Sequence, residues 1–246
     1  MLPTKQAIMG RIFEKRKYKM FARYARMAKQ FTRVGREISI AAKQGGPDPE
    51  LNPRLRMAIQ NAKAINMPKA NIEAAIKRAT NKEEKDFEEV VYEAYAPHGV
   101  ALIIVTATDN PNRTVANLRM HLNRAGGSLT KSGSLDFIFE HKAIFKVKSQ
   151  GQNLEELELE LIDYGLEELN QEEDMLYIIT PFKDNAAMQK ALEEKGLEIV
   201  SSEFVYVPNP GATKEDLTEE QQNEVLRLIE KLEEDDDVQH VFHNMA

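Results

Sequence analysis

The spacing of apolar residues changes period once, near residue 80, and that change divides the chain into a helical part and a mixed part. Before it, apolar positions recur every three to four residues; after it, short β-rich runs alternate with helical stretches. The charge changes sign at the same place. Residues 1–80 hold 18 Lys and Arg against 5 Asp and Glu, whereas residues 81–246 hold 15 against 35. The net −7 therefore conceals a +13 segment joined to a −20 one. Such a basic segment draws polyanions over about a Debye length, roughly 8–10 Å at physiological salt, while the acidic remainder limits indiscriminate association.

In the first part, Met20, Tyr24, Met27, Phe31, Val34 and Ile38 form one apolar stripe, and the spacing predicts a helix over 11–44. Lys15, Lys19, Arg23, Arg26, Lys29, Arg33 and Arg36 keep the same period on another face. Gln44-Gly45-Gly46-Pro47 stops this helix. Asn52 before Pro53 caps a second helix, bearing Leu55, Ala58, Ile59, Ala62 and Ile65 on one side; Pro68 opens a third, with Ile72, Ala75, Ile76 and Ala79 buried. These make a three-helix bundle over 1–80, to which Arg54, Arg56, Lys63, Lys69, Lys77 and Arg78 contribute further charge. Phosphate contact needs Lys or Arg able to reach successive backbone charges. A merely solvated polar face is the alternative. With five acids to offset eighteen bases, however, salt-bridge lacing does not account for this surface, and nucleic acid, DNA or ribosomal RNA, is the expected partner.

Beyond the polar linker 80–86, Val90–Tyr95 and Val100–Val105 read as strands joined by Pro97-His98-Gly99, and 111–124 as a helix ended by Gly126-Gly127. Residues 134–207 read as β-α-β-β-α-β, the ferredoxin-like split βαβ order. A capping box, Thr218-Glu219-Glu220-Gln221, opens a last helix, followed by a strand at Val238–Phe242. One helix and one strand cannot bury themselves. The tail is therefore expected to complete the sheet begun at 90–105, giving an α+β domain of 81–133 and 208–246 with 134–207 inserted.

Thr108-Asp109-Asn110-Pro111-Asn112-Arg113-Thr114 admits two readings. Asn110 or Asp109 caps the helix that starts at Pro111, or the exposed helix start takes an anion, with Asp109, Asn112, Arg113 and Thr114 around it. Enzyme chemistry finds little support. The chain has no Cys, His240 and His243 point to opposite faces of a predicted strand, and Asp235-Asp236-Asp237 reads as a solvated loop. No cofactor, metal or small-molecule substrate is expected. No apolar run approaches the roughly 20 residues of a membrane span. Met1-Leu2-Pro3-Thr4-Lys5 lacks a secretory core, although a basic start can imitate an organellar transit peptide; cytoplasm is the expected location.

Longer motifs carry a family resemblance. Gly45-Gly46-Pro47-Asp48-Pro49, Asn52-Pro53-Arg54-Leu55-Arg56, Asn66-Met67-Pro68-Lys69, Asn71-Ile72 and Ala75-Ile76-Lys77-Arg78 resemble the YebC/PmpR family. So do Phe31-Thr32-Arg33, Arg36-Glu37-Ile38, Tyr92-Glu93, Thr108-Asp109-Asn110, Asn112-Arg113-Thr114, Gly126-Gly127 and Ser132-Gly133-Ser134. The resemblance implies the same three-domain layout and a non-enzymatic regulator of gene expression. Either a DNA-binding transcriptional regulator or a ribosome-associated translation factor fits it. Gly10-Arg11-Ile12-Phe13 departs from the Gly-His-Ser-Lys-Trp-like stretch usual there, and Leu129-Thr130-Lys131 replaces a glycine-containing one.

Overall fold

The computed structural model describes residues 27–81 and 86–246. The expectations for Lys15, Lys19, Arg23, Arg26, Met20 and Tyr24 lie outside the described residues.

Three helices come first: α1 (residues 27–45 of the described chain), α2 (Pro53–Ala64) and α3 (Lys69–Thr80). They enclose Ile38, Ala41, Leu55, Ala58, Ala62, Met67, Ile72 and Ala75. Asn52 is the knot of this layer. Its Oδ1 accepts from the Leu55 N–H at 3.0 Å and caps α2, while its Nδ2 donates to the Ala41 and Gly46 carbonyls at 2.8 Å. The side chain thus satisfies one orphan donor of α2 and orphan acceptors leaving α1.

The rest builds two antiparallel sheets with helices on them. The first contains β1 (Glu88–Tyr95), β2 (Ala101–Thr108), β3 (Ser128–Leu129) and β8 (Val238–His243) in the order β3-β1-β2-β8, with α4 (Pro111–Arg124) and α7 (Glu219–Glu234) packed on it. The C-terminal strand pairs along β2, placing Ile104 opposite Val241. β2 is buried on both faces: Leu102 and Ile104 meet Leu118, Leu122, Leu228 and Leu232, whereas Ala101 and Ile103 meet Leu135, Ile138 and Phe139. A strand covered on both sides is a continuous apolar run, which is why Val100–Val105 shows no alternation. The expected hairpin between β1 and β2 turns through one 3₁₀ turn, Pro97–Gly99, with His98 at φ 62°.

The second sheet holds β4 (Phe139–Lys148), β5 (Glu168–Glu172), β6 (Met175–Pro181) and β7 (Ile199–Pro208) in the order β5-β6-β4-β7. Helices α5 (Leu154–Leu161) and α6 (Asn185–Glu194) cover one face, closing over Phe145, Val147, Leu176 and Ile178. The helix expected over 154–164 is α only to Leu161, then tightens into a 3₁₀ turn, Ile162–Tyr164, before Gly165 at φ 86°. Past the helices, rings of Phe182, His141 and Tyr206 stack at 3.9 and 4.3 Å. Tyr206 meets Phe242 of β8 at 5.6 Å, so aromatic contacts fill the seam between the sheets.

Helix α2 leans on the second sheet. Its Met57 enters that sheet's core, and Asn61 treats the β7 edge as a strand would: Nδ2 donates to the Ser202 carbonyl at 2.6 Å and Oδ1 accepts from its N–H at 2.9 Å. An open edge of unpaired groups is thereby covered. The chain is a mixed α+β protein of helices and two antiparallel sheets.

Candidate nucleic-acid interface

The described part of the basic stripe meets the first sheet. Lys29 donates to the Glu233 carbonyl, and Arg33 donates to the same oxygen at 3.4 Å. Arg36 donates to the carbonyls of Ala107 at 2.8 Å and Asp236 at 2.5 Å and to Asp237 Oδ1 at 3.1 Å; its guanidinium lies 4.8 Å from the centre of the Phe87 ring. On α2, Arg54 pairs with Glu89 at 2.9 Å, and Arg56 grips both oxygens of Glu193 at 3.0 and 3.1 Å. Lys69 lies 3.6 Å from Glu73 one turn on. Lys63, Lys77 and Arg78 are exposed, and Lys63 and Lys77 make no ion pair among the described residues. Arg36, Arg54 and Arg56 thus find their acids far along the chain, which local counting near α1 and α2 does not show.

The loop after β2 is arranged around a carboxylate whose acidic run suggests a solvated loop. Asp237 is 2% exposed. Its Oδ2 accepts from Arg113 at 2.7 Å, Thr114 Oγ1 at 2.8 Å and Thr108 Oγ1 at 3.1 Å, while Oδ1 takes Arg36. Burial opposes ionisation here, but hydrogen bonds from Arg113, Thr114 and Thr108 outweigh it and hold the carboxyl below the ordinary aspartate range. Only Asp236 of the acidic run faces solvent; Asp235 is half-buried, with its carboxylate accepting from Asn117 at 2.9 Å. The solvated-loop expectation is corrected accordingly: the turn from α7 into β8 brings Asp237 over the start of α4.

Asn110 caps α4, its Oδ1 accepting from the Arg113 N–H at 3.2 Å, and Arg113 also pairs with Asp109 at 2.9 Å. Asn112 is exposed on the first turn. The cap reading describes Asn110, and the anion at this helix start is the chain's own Asp237. A second inward carboxylate, Glu93, is 7% exposed and accepts from the N–H groups of Gly133 at 2.6 Å and Leu135 at 2.7 Å. It fixes the crossing from the first sheet into β4. Glu37 is half-buried near Arg54 and Glu89. Burial drives its carboxyl up to about 7, against the nearby Arg54 guanidinium and with the Glu89 carboxylate. Among the described residues no cluster of His, Asp and Glu could hold a metal, and no helix is long and apolar enough to cross a membrane.

Residues 11–82 match the family described as the TACO1/YebC protein N-terminal domain, and residues 87–245 match the TACO1/YebC second and third domain. The chain belongs to the TACO1/YebC family. A relative from Parabacteroides distasonis is 55% identical over 96% of this chain and 97% of its own, and one from Porphyromonas gingivalis is 54% identical over the same shares. Both are named probable transcriptional regulatory proteins. A crystal structure of a conserved hypothetical protein from Aquifex aeolicus is 39% identical, superposes with a TM-score of 0.73, and covers 89% of this chain and 90% of its own. The TACO1/YebC boundary between 82 and 87 falls where the charge changes sign.

Proposed function

We propose that this TACO1/YebC chain is a non-enzymatic, DNA-binding transcriptional regulator of the cytoplasm that holds the phosphate backbone with its basic helical bundle. In this reading the chain has three parts: the bundle over 1–80, an α+β domain of 81–133 and 208–246, and a ferredoxin-like insertion at 134–207. The observation that carries it is the charge division, with 18 Lys and Arg against 5 acids in the bundle of a chain whose relatives are named probable transcriptional regulatory proteins. A sequence-independent electrostatic hold supplies affinity, and any base readout comes from other contacts.

Nucleic-acid cross-linking in living cells, followed by gradient fractionation of the lysate, tests this. Cross-links concentrated at defined promoters, with the protein absent from ribosomal fractions, are expected. Cross-links confined to RNA in the ribosomal peak would replace the transcriptional reading with a translational one.

A further inference from the structure

Lys29 and Arg33 of α1 are held by the C-terminal end of α7, where the last carbonyls of a helix lack internal partners and carry the negative end of its dipole. Arg33 is poorly served there. Among the described residues its one hydrogen bond is 3.4 Å long, and its Nε is buried with no partner. A guanidinium presents a planar fork suited to two parallel bonds from a phosphate or carboxylate, and a lone carbonyl oxygen cannot fill it. Arg36 is different: fixed by two carbonyls and by Asp237, which Arg113, Thr114 and Thr108 anchor from behind, it is built into the first sheet. Gly35 lies between the two arginines, and glycine inside a helix weakens it by about 1 kcal/mol relative to alanine.

We infer that α1 ahead of Gly35 is a self-inhibitory clasp: docked on the end of α7 it withholds Lys29 and Arg33, and a nucleic-acid backbone draws them away while Arg36 stays as the pivot. This rests on the phosphate-binding reading above. Phosphate offers Arg33 the second bond it lacks, and the observed affinity is the intrinsic one reduced by the fraction of molecules in which the clasp is open.

The chain contains no cysteine, so one introduced pair can be joined without ambiguity. In the full chain carrying Lys29→Cys and Glu233→Cys, a bismaleimide linker holds the clasp shut, and separate alkylation of the two thiols leaves it free. Binding is read by fluorescence anisotropy with a DNA duplex of about 20 base pairs, long enough for several phosphate contacts. The linked form should bind about tenfold or more weakly than the alkylated form. The Glu233 carboxylate also attracts the Arg33 guanidinium through space. In single variants, Glu233→Gln should therefore tighten binding severalfold and Glu220→Gln, the same charge change at the far end of α7, should not. Equal binding by linked and alkylated forms overturns the clasp and leaves phosphate binding intact. Failure of every form to bind, wild type included, overturns both.

Discussion

At the scale of single residues, the carboxylates that matter are the ones turned inward. Glu93 receives two backbone N–H groups from a loop about 40 residues further on, one from exposed Gly133 and one from buried Leu135. Glu93→Ala leaves the Leu135 N–H buried and unpaired, which costs about 1–3 kcal/mol, while the exposed Gly133 N–H can turn to water. Urea unfolding should show the midpoint falling with little change in slope. Glu37 makes the opposite kind of prediction. With its carboxyl raised to about 7, the folded chain holds a proton that the unfolded chain has released above about pH 4.5. This group's contribution therefore falls as pH rises from the unfolded value through 7. Glu37→Gln should remove that loss, making the variant more stable than wild type at pH 8 but not at pH 4. A parallel pH dependence of the two proteins would show that Glu37 titrates normally. Neither carboxylate can be singled out among forty acids, because Glu93 is distinguished by donors distant in sequence and Glu37 by burial that only the fold creates.

At the scale of elements, legibility follows the range of the interaction that sets each one. The Asn52-Pro53 cap and the Thr218–Gln221 capping box were readable because both partners lie within three residues. The Gly126-Gly127 helix stop was readable too, although its second glycine has a non-local reason: a Cβ on Gly127 would stand 2.5 Å from the Tyr95 carbonyl. Strand β3, two residues long, has no pattern of its own and exists because β1 offers an edge. The contact of α2 with β7 was equally hidden, since Asn61 reads as an ordinary polar helix position. Asn61→Ala strips the Ser202 N–H and carbonyl of partners and should cost about 2 kcal/mol, more than Arg56→Ala, whose ion pair with Glu193 is partly exposed and worth about 1 kcal/mol or less. Equal losses in chemical denaturation would mean that the helix is held mainly by Met57 in the sheet's core.

At the scale of the whole molecule, the division of charge that marks the sequence is partly consumed inside the fold. Arg36, Arg54 and Arg56 reach across to Asp237, Glu89 and Glu193, so the basic layer is fastened to both sheets by the same side chains that composition alone assigns to a ligand. A net charge therefore overstates how many cations a phosphate backbone can claim, and the salt dependence of binding counts those that it does. Each duplex phosphate neutralised by a cation contributes about 0.9 to the slope of log K against log salt. Replacing Lys19, Arg23, Arg26 and Arg33 with Gln should flatten the slope for duplex DNA by up to about 3–4 if all four reach phosphate. Replacing Arg54 and Arg56, already engaged by Glu89 and Glu193, should change the slope little while lowering stability. The measurement is a set of binding isotherms between about 50 and 200 mM salt, where screening still leaves such contacts visible. An unchanged slope in the first variant would assign the stripe to the protein's own packing and solvent rather than to nucleic acid.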